Sequence, residues 1–311
     1  MKDEFLISSN EKEFIIKALE SEQRVDGRRP FDVRKLNVKF GPDDGAVEVQ
    51  LGQTRVAVVV TADLSEPYGD RPNEGTINFA VEFSPMASPA FETGRPSEDA
   101  VEVVRVLERS LRESGAIDTE ALCVLAGRKV WNLKVIVHIL DHGGALLDTA
   151  SMAVLAALVS MRVPDVSIGG ETGQEVIVHP PQVKEPVPLN IHHLPLAITL
   201  AFFGDGELVV VDPSMKEEAA MSGSMTVCLN PHEELCTVQK GGGVAISPAQ
   251  LMRCIRIAAA KVKDRALQLK EYLAANDQAR QEKRIKRRSA APEEQGAATV
   301  VGASEVGKVV K

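Results

Sequence analysis

Twice along the chain a block of strand-like runs gives way to an apolar helix, and that order restricts the fold more than any single motif. The first block reads as strands at 33–40, 46–51 (AVEVQL), 54–62 (TRVAVVVTA), 76–83 and 129–140 (KVWNLKVIVHIL). AVEVQL alternates, which predicts one exposed face; RVAVVV is apolar throughout, which predicts a central strand. A helix over about 97–113 takes Ser97 as its N-cap and turns Val101, Val104, Leu107 and Leu111 inward. Residues 149–161 are apolar nearly all round, which predicts a buried helix. The second block has strands at 196–203, 207–212, 224–230 and 234–239. It closes with a helix opening at Ser247-Pro248, whose stripe is Leu251, Ile255, Ala259, Val262, Ala266, Leu269 and Leu273. An N-terminal helix spans roughly Asn10–Glu20, with Asn10 and Glu13 as a capping box. From about Asn276 the chain is polar and aperiodic, which predicts a disordered tail over 276–311. The expected class is α+β with a pseudo-duplicated core, although no residue-level repeat is visible.

Charge narrows the function. The net charge of −8 hides an asymmetry: residues 277–311 hold eight Lys/Arg against five Asp/Glu, a surplus of three that leaves −11 on the body. An acidic body argues against indiscriminate nucleic-acid binding. Cys123, Cys228, Cys236 and Cys254 form no CxxC pair, so they read as reduced thiols of an intracellular protein, not a zinc site. The opening MKDEFLISSNEKEF is charged where a signal peptide is apolar, and the longest charge-free helical stretch, Thr149 to Met161, is too short to span a bilayer.

Several blocks carry a family resemblance. RVDGRRPFDVRKL, EVQLGQTRV at 48–56, ERSLR at 108–112 and VVVDPS at 209–214 resemble RNase PH-like proteins. FSPMASPAFETGRPSE, IDTEALCVLAGRKVWNLKV, DHGGALLDTASMA and PLNIHHLPLAITLAFF are similar to the non-catalytic ring subunits of the eukaryotic RNA exosome. The resemblance implies an RNase PH-like domain over 1–275, in two similar βαβα-type halves of about 24–165 and 166–275 with mixed sheets packed on helices. It implies a six-membered ring with other RNase PH-like subunits, RNA-binding cap subunits and an associated nuclease. Single-stranded RNA threads the pore, with no membrane involved. It further implies nuclear and nucleolar localisation, with a cytoplasmic pool, and roles in rRNA maturation and mRNA turnover.

Phosphorolysis must hold inorganic phosphate with N–H groups, a hydroxyl and usually an arginine. Active members of the family place a Gly-Ser/Thr-Arg-type segment there; this chain has Gly144-Ala145-Leu146. Ala145 has no hydroxyl and Leu146 no charge, so no catalytic residue and no cofactor is expected. The alternative, an active phosphate-dependent 3′–5′ exoribonuclease, needs the anion site those residues fail to supply. Asp212 and Glu218 match, six residues apart, the family's metal-binding carboxylates. They read either as a residual metal site or, preferably, as Asp212 capping the turn at 213–219 with Glu218 solvated. Arg105, Arg109 and Arg112 fall on one helical stripe, with Arg95 in the loop before it. The resemblance implies that these residues touch RNA; local Glu102–Arg105 and Glu108–Arg112 pairs are the plainer alternative. The run RQEKRIKRR at 280–288 is basic enough for nuclear import or an electrostatic partner contact. His192-His193 are adjacent on an extended segment and point apart, which disfavours a shared metal.

Overall fold

Apolar alternation in the first strand block builds a sheet with one greasy face. In the computed structural model, which describes residues 7–88, 91, 94, 97–169, 175–290 and 299–301, helix α1 (Ser9–Glu20) precedes that sheet. Strands β1 (Leu36–Phe40), β2 (Ala46–Leu51) and β3 (Thr54–Ser65) form an antiparallel meander. Strand β4 (Thr76–Phe83) lies at the far edge. It is followed by α2 (Glu98–Glu108), which runs into a π-helical turn at Arg109–Glu113. Strand β5 (Cys123–Leu125) pairs with β6 (Lys129–Asp141), and β6 inserts antiparallel to β3 and parallel to β4. Val56, Val58, Val60, Val135, Val137 and Ile139 are buried on the inner face. The outer face carries the pairs Arg55–Glu48, Lys134–Asp63 and His138–Glu82. β3 is therefore central by hydrogen bonding but covered on one face only, and its Val59 is exposed on the other.

Helix α3 (Leu146–Ser160) then crosses beneath this sheet. Short strands follow: β7 (Arg162–Val163), β8 (Val166–Gly169), β9 (Glu175–Val178) and β10 (Val187–Pro188). The second sheet is β11 (Leu196–Phe203), β12 (Leu208–Val211), β13 (Gly223–Leu229) and β14 (Leu235–Lys240), ordered β12-β11-β13-β14 and wholly antiparallel. Helix α4 (Met215–Ala220) lies between β12 and β13, and α5 (Pro248–Ala290) closes the fold. A last strand, β15 (Thr299–Val301), pairs with β9. Helices α3 and α5 pack between the two sheets, so one continuous core contains residues of both halves. That burial is why α3 tolerates no polar face: from Asp148 to Leu158 every residue is buried.

Three sequence expectations change. The capping box of α1 is Ser8 with Glu11, not Asn10 with Glu13, because S-S-N-E offers a serine-glutamate box two residues earlier. The inner face of α2 is Ala100, Val103, Val106 and Leu107, while Val101 is exposed and Val104 only half-buried. The run VEVVRVL offers two stripes, and packing on β4 and α3 selects the second. The terminal helix does not stop near 275. It continues to Ala290, held by Arg162–Asp277 and by Arg280, which donates to the Ser160 carbonyl and to Asp44.

Candidate functional site

The N-terminus of α3 and the loop leading into α4 meet at a cleft of about 470 Å³. The loop before α3 runs unusually close to its neighbour. Gly144 has φ +94°, and a Cβ there would lie 2.5 Å from the Pro213 carbonyl and 2.6 Å from the Met215 nitrogen. Only glycine fits such an approach. Ala145 follows in the left-handed region at φ +47°. The Met215 N–H donates to the Gly143 carbonyl, fastening the two loops together.

Beneath these loops lies a cluster of arginines from the RVDGRRPFDVR segment. Arg34 Nη1 donates to the Gly143 carbonyl and Nη2 to the Gly144 carbonyl, each at 2.9 Å. Its Nη2 also reaches Asp212 Oδ1 at 2.6 Å, while its backbone N–H donates to Oδ2 at 2.7 Å. Arg28 Nη1 adds a 3.1 Å bond to the same Oδ2. Arg24 is buried; it pairs with Glu217 and donates to the carbonyls of Val211 and Asp212 at 2.9 Å. The segment RVDGRRPFDVR thus ties the N-terminal half to the 211–217 turn. The sole signal in the sequence was the density of arginines between 24 and 34.

The two expected carboxylates behave differently from the expectation. Asp212 does not cap α4; Ser214 does, in a capping box with Glu217. Asp212 is buried at φ +53° with both oxygens taken by Arg28 and Arg34, leaving neither for a divalent cation. Glu218 is not solvated. It is half-buried on the cleft wall, and its Oε1 accepts the Ala145 N–H at 2.7 Å. Burial pushes its carboxyl up to about 7. A third acid, Asp148, is buried in the first turn of α3, accepting from the Thr199 N–H at 3.0 Å and facing Thr199 Oγ1 at 2.6 Å. Burial raises it to about 7 as well. Among the described residues, no group of three or more His, Cys, Asp or Glu is arranged to hold a metal.

The cleft wall is apolar and acidic. Phe83, Phe91, Met215 and Met221 line it with Asp99, Glu102 and Glu218, and none of its described lining residues is Lys or Arg. His142 sits on the wall with a buried, unpartnered Nδ1, and burial holds its ring below the ordinary histidine range. Leu146 lines the same cleft.

Beyond Glu102 a second groove continues over α2, lined by Glu98, Arg105, Arg109 and Gln239. Arg105, Arg109 and Arg112 are all exposed. Arg112 pairs with Glu108 at 3.7 Å, whereas Glu102 accepts from Gln239 instead of Arg105. Arg112 shares the π-helical turn with Arg109 but does not line the groove that holds the other two. Arg95 lies outside the described residues. His192 and His193 separate as expected: His192 faces Asp118 at 4.0 Å, and His193 contacts Ser114 Oγ at 3.3 Å.

Residues 32–164 match the model of the 3′ exoribonuclease family, domain 1, and residues 193–261 match domain 2. Over 281 residues, 90% of this chain, it is 50% identical to exosome complex component RRP45B of Arabidopsis thaliana and 47% identical to RRP45A of the same plant. The chain spans 64% of the first of these relatives and 92% of the second. Among solved structures, a chain of the Archaeoglobus fulgidus exosome with RNA bound to the active site superposes with a TM-score of 0.71 at 29% identity. That match covers 82% of this chain and 97% of the archaeal one.

Proposed function

Because the chain belongs to the 3′ exoribonuclease (RNase PH) family, among the exosome components named RRP45, we propose that it is a non-catalytic ring subunit of the RNA exosome. It scaffolds a six-membered ring of RNase PH-like subunits beneath RNA-binding caps, and lines the channel that leads single-stranded RNA to an associated nuclease.

The observation that carries this reading is the chemistry of the cleft. Phosphorolysis needs a phosphate held by charge-assisted bonds. Here Asp99, Glu102 and Glu218 face the space, and no lysine or arginine among the described lining residues does. An anion there meets carboxyl groups and no cation, so nothing offsets the cost of desolvating it. Asp212, the other family carboxylate, is committed to Arg28 and Arg34. In this reading the cleft is inert, and Arg105 and Arg109, with Arg95 and Arg112, meet RNA phosphates from the channel side. The basic run at 280–288 directs nuclear import, and the protein works in nucleus, nucleolus and cytoplasm.

Native mass spectrometry of complexes recovered with the tagged full-length chain tests the assembly. The expected result is one copy within a ring of six RNase PH-like chains plus caps. Recovery of the chain only as a free, monodisperse monomer would sink the proposal.

A further inference from the structure

The N-terminus of α3 has the attributes of an anion seat. Its first intrahelical bond runs from the Thr149 N–H to the Ala145 carbonyl, so the N–H groups of Ala145 to Asp148 have no acceptor within the helix. Those of Leu146, Leu147 and Asp148 have no protein acceptor among the described residues. A fifteen-residue helix carries a partial positive charge at this end. Arg34 stands directly behind, bonded to the carbonyls of Gly143 and Gly144.

One carboxyl group is already there. Glu218 leaves α4, on the other half of the molecule, and its Oε1 takes the Ala145 N–H at 2.7 Å. The fold delivers it. The Gly144 approach to Pro213 and Met215 leaves no room for a side chain between the two loops, and the Met215–Gly143 hydrogen bond holds them together. A carboxylate and a phosphate present the same feature to such a seat, negatively charged oxygens that accept N–H bonds.

We propose that Glu218 is an intramolecular ligand of the α3 N-terminus, occupying the seat an inorganic oxyanion would take and so keeping phosphate and sulfate out of the cleft. This rests on the reading of the cleft as inert and explains how it stays so: the seat persists, and its first N–H group, that of Ala145, is capped from within. Removing the carboxylate therefore opens it. Replacing it by an amide, which keeps the acceptor in place, does not.

The test is the thermal unfolding midpoint of the full-length chain titrated with inorganic phosphate, for the wild type, Glu218→Ser and Glu218→Gln. The midpoint of Glu218→Ser should rise saturably through the millimolar range, reporting phosphate affinity at least about tenfold above the other two, which should stay flat. A folded Glu218→Ser that stays flat overturns the inference, as does a wild type or Glu218→Gln that rises equally. Should Glu218→Ser fail to fold, selectively ¹⁵N-alanine-labelled wild type decides the matter. The Ala145 amide resonance should ignore phosphate and move on Glu218→Gln substitution; the opposite pattern on either count overturns the assignment. Turnover by the wild type would defeat the functional reading, whereas these titrations bear on the seat alone.

Discussion

Arg24, Arg28 and Arg34 stand close together in sequence, yet they secure a turn that begins at Val211. A buried ion pair adds little when compared with a well-packed apolar pair, but removing one partner strands the other charge. Arg24 is the extreme case, because Glu217 loses its cation and the carbonyls of Asp32, Val211 and Asp212 each lose a donor. Arg24→Met should destabilise the fold by about 3–5 kcal/mol, measured by urea unfolding; a loss within experimental scatter would show that the cluster is not structural. Asp148 and Glu218 make the opposite kind of contribution. Both titrate near 7 in the fold, above their ordinary values, because burial disfavours their charged forms. At these two groups the folded state then binds more protons than the unfolded chain, so their contribution to stability is full below the ordinary carboxylate range and is lost as pH rises through about 7. Asp148→Asn mimics the protonated form, since its amide can donate to Thr199 Oγ1 while its oxygen accepts the Thr199 N–H. Denaturation midpoints between about pH 5 and 8 should fall steeply for the wild type and less steeply for Asp148→Asn. Equal slopes would remove Asp148 from the account.

Elements built on a clean period were legible. The strands at 46–51, 76–83 and 196–203 lie where alternation and apolar runs put them, and Ser247 caps α5 as its Ser-Pro pair indicates. Elements where the residues permit two periods were not. The valines of α2 allow either of two faces, and the polar end of α5 is helical because Arg162, Ser160 and Asp44 meet it in space. For the site, the loss of hydroxyl and charge at Ala145 and Leu146 was readable. The partnership of Glu218 with Ala145 and that of Arg34 with Asp212 were not, because contacts across the two halves leave no trace in local pattern. The consequence for α2 is specific. Arg105 and Arg109 line the groove, while Arg112 is turned to Glu108. Reversing charge at both, Arg105→Glu with Arg109→Glu, should weaken RNA binding by the assembled ring by about tenfold at low salt, read by fluorescence anisotropy. Arg112→Glu should have a smaller effect. Equal effects, or none, would remove the groove from the RNA path.

At the scale of the molecule, an acidic body and a few exposed arginines are compatible because phosphate neutralisation acts over about a Debye length, roughly 8–10 Å at physiological salt. The lone chain is therefore expected to bind RNA weakly and the ring to bind it well. Two halves share one core through α3 and α5, and the same junction that in an active relative has to admit phosphate is here closed by the protein's own carboxylate. The most direct test is release of nucleoside diphosphate from oligoadenylate by the purified full-length chain, given inorganic phosphate and Mg²⁺. The account predicts none above the protein-free background, whereas phosphate-dependent turnover by this chain alone would contradict it.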